Sequence, residues 1–215
     1  MAEASKPVKV GRRRTARKKL LDAAYTIMGK RGFEGSTLAE IIREAGVGIG
    51  SYYNHFNTKE ELARAAFAEH IHEFGLDLLT VVRKCPDAVA ATCYAVRRMI
   101  YEAERDEAWA WFIVNVDPAT SLFHEVMRPH ALVGMQIGIE NGDFRVENVE
   151  TAVLAIHAVE VALVKAMLQG KISSQDAHRA VAMPLQMFGA PADRATYLAN
   201  LSMPALIREV TSLSS

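Results

Sequence analysis

The stretch from Thr37 to Leu62, TLAEIIREAGVGIGSYYNHFNTKEEL, decides how this chain is to be read. Thr37 precedes Glu40 by three residues, the spacing at which a hydroxyl and a carboxylate satisfy each other's backbone amides at a helix start. Leu38, Ile41, Ile42 and Ala45 then share one helical face, and Gly46 supplies the backbone freedom of a tight turn. Val47 is an apolar plug between two helices. A second short helix is expected from about Gly48 to Phe56, with Tyr52 and Phe56 inward and Ile49, Ser51, Tyr53, Asn54 and His55 outward. Thr58 and Glu61 repeat the capping box and open a helix whose first turn displays Lys59. Two short helices across a glycine turn are the sequence form of a helix-turn-helix.

Upstream of this stretch the chain is basic. Residues 1–64 carry 13 Lys and Arg against 7 Asp and Glu, whereas residues 65–215 carry 12 against 18, so the zero net charge hides two opposite halves. This asymmetry is the charge signature of a basic nucleic-acid module joined to an acidic partner domain. Residues 1–14 read as an arm in which Arg12, Arg13 and Arg14 could displace counterions from DNA. A first helix is expected from an N-cap at Thr15 to about Lys30, with Leu20, Leu21, Ala24, Ile27 and Met28 on its apolar face and Gly32 as its stop.

Downstream, a long helix is expected from Lys59 to about Lys84, where Pro86 prevents continuation. Helical patterns then cover roughly 87–105, 107–116, 119–141, 149–170, 174–189 and 191–202, with a tail helix after Pro204. Pro129 and Pro184 mark kinks or boundaries, and Asn148 is an expected N-cap. No alternating run is long enough for a strand. The expectation is an all-α chain of about nine or ten helices, divided into an arm (1–14), a DNA-binding head (15–62) and a larger body (63–215).

From Gly32 to Leu62 the chain resembles the DNA-binding signature of the tetracycline-repressor (TetR) family. The resemblance is carried by Gly32-Phe33, Thr37, Ile41, Ala45-Gly46-Val47, Gly50, Tyr53, His55-Phe56 and Lys59 with Glu60, Glu61 and Leu62. It covers about residues 15–65 and implies a transcriptional regulator, normally a repressor. By matched position it implies phosphate contacts from Thr37, Tyr53, His55 and Lys59, which are groups suited to phosphate oxygens. Base reading would fall to Gly48, Ile49, Gly50, Ser51 and Asn54. Gly48 and Ile49 depart from the polar residues common there. Ile49 can meet a thymine methyl, and Ser51 can bond several base edges.

The resemblance further implies a homodimer on a near-palindromic double-stranded operator and a small, largely apolar effector in the body. For the dimer face the expected residues are Ala155, Ala158, Val159, Ala162, Leu163 and Ala166, with Val181, Leu185 and Phe188 of the next helix. For the effector pocket they are Tyr94, Met99, Trp109, Phe112, Val116, Phe123, Met127, His130, Met135 and His157, with Tyr94, His130 or His157 as polar anchors.

Other classes fit less well. Glu69 and His72 form one ExxH, but a di-iron bundle needs two such pairs and further carboxylates. No HExxH, phosphate loop or GxSxG motif occurs, so no catalysis, cofactor or metal is expected. Cys85 and Cys93 form no disulfide framework or metal spacing and read as small buried groups. No long uncharged apolar run is present, so the expectation is a cytoplasmic protein without a membrane partner. The alternative is a helical adaptor that does not bind DNA specifically.

Overall fold

The computed structural model describes residues 15–106, 109, 110, 114 and 117–212, the side chains of 117–125 excepted. Arg12, Arg13, Arg14, Phe112 and Val116 lie outside the described residues, as does the side chain of Phe123. So does most of the expected helix at 107–116.

Three helices make the head: α1 (Ala16–Arg31), α2 (Leu38–Ala45) and α3 (Ile49–Tyr53). α1 and α2 begin and end where local chemistry dictates. The Thr15 hydroxyl accepts from the amide of Lys18, and Gly32 stops α1 at φ 75°. The Thr37–Glu40 box is complete, and Gly46 ends α2 in the left-handed region at φ 60° and ψ 39°. α3 is shorter than expected, because Asn54 is already its C-cap. The amides of His55 and Phe56 still bond back to the Tyr52 carbonyl, both at 2.9 Å, so the turn continues without a full helix. Leu20, Met28, Ile41, Tyr52 and Phe56 close the small core between the three helices.

The long helix α4 (Lys59–Val82) leaves the head and enters the body. Its 24 residues span about 36 Å at 1.5 Å per residue. The second capping box forms only in part. The Thr58 hydroxyl accepts from the Glu61 amide, but the Glu61 carboxylate reaches one residue further back, to the Asn57 amide at 2.8 Å.

The body continues with α5 (Ala88–Arg105), α6 (Asp117–Glu140), α7 (Val149–Leu168), α8 (Ser174–Ala180), α9 (Ala182–Met187), α10 (Ala192–Asn200) and α11 (Met203–Thr211). No strand occurs among the described residues. α4 packs on α5 and α6, and α5 in turn supports α7, α8, α10 and α11. Pro129 sits inside α6 without ending it. The single helix expected over 174–189 is instead two, parted at Val181. Pro184 explains the break: its ring crowds the carbonyl four residues earlier, and it has no N–H to give that carbonyl. Gly138 allows a close approach between α6 and its neighbours, since a Cβ there would stand 2.5 Å from the Phe144 ring and 2.7 Å from Ala88.

A buried cation fastens the C-terminal helices to α5. Arg97 is 2% exposed. Its guanidinium donates to the carbonyls of Leu198 at 2.6 Å and Leu201 at 2.5 Å, and its Nε donates to His178 Nδ1 at 3.2 Å. His178 Nε2 lies 3.2 Å from a Glu104 carboxylate oxygen. Nδ1 must therefore be the acceptor and Nε2 the N–H, which assigns the neutral tautomer.

Candidate nucleic-acid interface and body cavity

One exposed surface collects most of the residues expected to meet DNA. Gly48, Gly50, Asn54 and His55 are exposed and Ser51 is half-buried, while Ile49 and Tyr53 are 61% and 59% exposed. Tyr52 turns inward beneath them at 1% exposure, its ring edge-on to Tyr53 with centroids 5.0 Å apart. Neither α3 glycine is demanded by the fold. A Cβ at Gly48 or Gly50 would meet nothing within 4 Å, and neither residue has a positive φ. Their bareness therefore leaves the outer surface open rather than relieving strain within.

Two of the expected phosphate contacts have internal work as well. The Thr37 hydroxyl donates to Glu40 Oε2 at 2.9 Å while accepting from the Glu40 amide at 3.3 Å. The Lys59 ammonium donates to the carbonyls of Phe33 at 2.9 Å and Ser36 at 3.1 Å, 4.1 Å from the Phe33 ring centroid. Lys59 is thus a tie that seats α4 on the loop before α2, with one N–H left for an outside acceptor. Arg17 adds a further cation, its guanidinium 5.6 Å from the centroid of the Phe56 ring.

Head and body meet at a polar joint. Lys18 of α1 pairs with Glu69 of α4 at 2.9 Å. Tyr25 of α1 stacks on His70 of α4, centroids 3.9 Å apart, and donates its hydroxyl to Asp106 at the end of α5. Burial chiefly raises the Tyr25 pKa, aided by the Asp106 carboxylate, so the phenol keeps its proton. The other Asp106 oxygen caps the amide of Trp109 at 3.0 Å.

Between α4, α5, α6 and α7 lies a cavity of about 150 Å³. α4 contributes Phe74, Leu78, Leu79 and Val82; α5 contributes Ala91, Thr92, Ala95, Val96 and Met99. Met127, His130 and Met135 of α6 and His157 of α7 line it, as expected from sequence. Two expected residues do not. Tyr94 is buried on α5 but lies about 100° around the helix from Ala95, off the lining stripe. Trp109 sits behind the wall, packed on Phe67 and Phe74 with centroids 5.7 and 5.3 Å away. Among the lining residues that sequence reasoning missed, the charged one on α7 is Glu160, 8% exposed and facing the cavity. Its signal was legible: it is an acidic side chain in phase with Val153, Ile156 and Val164, the buried stripe of an apolar helix. Burial raises the Glu160 pKa, and neighbouring His157 partly opposes that.

The outer face of α7 and α9 needs a correction. Val181, Leu185 and Phe188 are at most 3% exposed, so they belong to the core of one chain and cannot meet a partner. The apolar side chains that do face outward are Leu154 on α7 and Met183 and Met187 on α9, between 59% and 64% exposed. Ala158 and Ala162 are exposed on the Leu154 side of α7, and Ala155, Val159, Leu163 and Ala166 are half-buried. α7 is also long and apolar enough by composition to cross a membrane, yet most of it is not buried within the chain. Glu150, Glu160 and Lys165 interrupt it.

Comparison with known proteins agrees with this architecture. The model for bacterial regulatory proteins of the tetR family matches residues 20–66, and that for the tetracyclin repressor-like C-terminal domain matches residues 86–200. The regulator BetI of Brucella suis is 29% identical over 118 residues, 53% of this chain and 60% of BetI. SrpR of Pseudomonas putida is 39% identical over 61 residues, 28% of this chain and 29% of SrpR. The chain thus spans less than two thirds of the length of these relatives. Among solved structures, RolR in complex with resorcinol superposes with TM-score 0.73 at 25% identity, over 89% of this chain and 96% of RolR. FadR of Bacillus subtilis with stearoyl-CoA shares the fold at TM-score 0.63 and 16% identity, over 86% of this chain and 98% of FadR. With both halves matched in order, the chain belongs to the tetR family of regulatory proteins.

Proposed function

We propose that this chain is a DNA-binding transcriptional repressor whose operator affinity falls when a small, largely apolar effector fills the body cavity. One observation carries the reading: α4 is a single helix that is tied to the head at Lys59 and lines the cavity at Phe74, Leu78 and Val82. An occupant that favours one tilt of α4 changes the position of the head, by no more than its differential affinity for the two states. The resorcinol bound by RolR makes a single-ring compound the first effector to try.

The operating unit is a homodimer. Its face is formed by Leu154, Ala158 and Ala162 of α7 with Met183 and Met187 of α9, an apolar surface that one chain leaves uncovered. Two recognition helices then occupy successive major grooves roughly 34–36 Å apart. Thr37, Tyr53, His55 and Lys59 hold phosphates, aided by the basic arm. Ile49, Ser51 and Asn54 face base edges, with DNA shape supplying further specificity at Gly48 and Gly50.

Fluorescence anisotropy on genomic fragments, repeated across a salt series, tests this. Selective binding with a steep negative dependence on log salt is the expected result. Equal affinity for all fragments would favour the adaptor reading.

A further inference from the structure

The cavity carries an unusual group for its setting. Glu160 is 8% exposed, lines a largely apolar space, and sits on an apolar helix. Among the described residues its partner is His157 Nδ1, 3.5 Å away, too long for a full hydrogen bond. A buried carboxylate without a good donor is costly, and a ligand that brings one recovers that cost on binding.

Resting on the cavity reading above, we propose that Glu160 is the polar anchor for a neutral, single-ring compound bearing a hydroxyl group. Size sets the first limit. A cavity of about 150 Å³ matches the volume that encloses one benzene ring, and is far too small for a long acyl chain. Charge sets the second. An anionic ligand would meet the Glu160 carboxyl group, and an ammonium would leave donors unsatisfied in a largely apolar lining. A hydroxyl carries no charge to desolvate, and it can donate to Glu160. Met127, Met135 and Phe74 supply soft and aromatic surface for the ring.

Phenol and toluene differ by this one donor and are the probes of choice. Calorimetric titration of the full chain would measure both, in the wild type and in Glu160→Met, which keeps the length and removes the acceptor. The preference for phenol over toluene should fall about threefold to tenfold in the variant, the size of one lost hydrogen bond. Retained toluene binding shows that the variant has kept its cavity. Should Glu160→Met fail to fold, Glu160→Gln replaces one acceptor oxygen by a donor and should lower the same preference about threefold or more. An unchanged preference in the folded variant overturns the anchor while leaving the cavity reading intact. If neither probe binds the wild type, both fail together.

Discussion

The Tyr25 hydroxyl donates to the Asp106 carboxylate across 2.9 Å, joining the first helix of the head to the end of α5 in the body. The bond spans 81 positions of sequence, and the Tyr25 ring that carries it stacks on His70. Asp106 also caps the segment bearing Trp109, whose ring packs on Phe74 of the cavity wall. A chain of direct contacts therefore runs from cavity to head.

Tyr25→Phe removes this bond and keeps the stacking. Operator affinity of the free protein should change little, while the loss of affinity caused by a cavity ligand should shrink about threefold or more. Anisotropy titrations with and without resorcinol measure it. An undiminished ligand effect would leave the joint a structural tie only.

Gly50→Ala separates stability from DNA binding. The added methyl meets nothing within 4 Å, so it should stabilise α3 by up to about 1 kcal/mol through helix propensity. On the proposed DNA-facing surface the same methyl should weaken operator binding about tenfold. Thermal melting and anisotropy together decide, and unchanged DNA affinity would remove Gly50 from the interface.

Ala158→Arg places a charge on the exposed face of α7. It should convert the proposed dimer to a monomer in sedimentation velocity and weaken operator binding with it. Leu185→Ala, at a fully buried position, should instead destabilise each chain by about 2–5 kcal/mol. A dimeric Ala158→Arg would move the interface elsewhere.

Arg97→Met should cost about 3 kcal/mol or more, because the carbonyls of Leu198 and Leu201 and Nδ1 of His178 lose their donor together. Urea unfolding gives the value, and a loss under about 1 kcal/mol would mean that these groups find other partners.

His178 and His70 should lower stability on mild acidification, against an opposite contribution from Glu160, whose raised pKa favours the folded state as pH falls. Burial first, then the Arg97 charge, lowers the His178 pKa; burial and then Lys18 do the same for His70. Below pH about 6.5 the unfolded chain takes up protons that the folded chain refuses, so stability rises with pH in that window. Above it both states are neutral at these sites and the contribution vanishes. Denaturation midpoints at pH 5.5 and 7.5 measure it: relative to the wild type, His178→Gln should be less destabilised at the lower pH.

Much of the head was legible in sequence because its signals are local. A capping hydroxyl three residues before a carboxylate, a glycine at positive φ and an i, i+4 aromatic pair each act within one turn. Thr15, Thr37, Gly32, Gly46, Tyr52 and Phe56 accordingly stand where expected. The family followed from the same residues.

The body was legible as helices but not as faces. α9 carries two apolar stripes, and sequence selected Val181 and Leu185, whereas the chain buries those and exposes Met183 and Met187. Hydrophobicity states that a surface needs cover; which neighbour covers it is a long-range fact. The same limit hid the step from Tyr94 to Ala95 at the cavity wall and the carbonyls that hold Lys59. The sequence by itself thus determined the helices, their caps and the helix-turn-helix, through interactions closed within a few residues. Only tertiary packing decided which apolar stripe stays bare, that Glu160 faces the cavity, and that Tyr25 reaches Asp106.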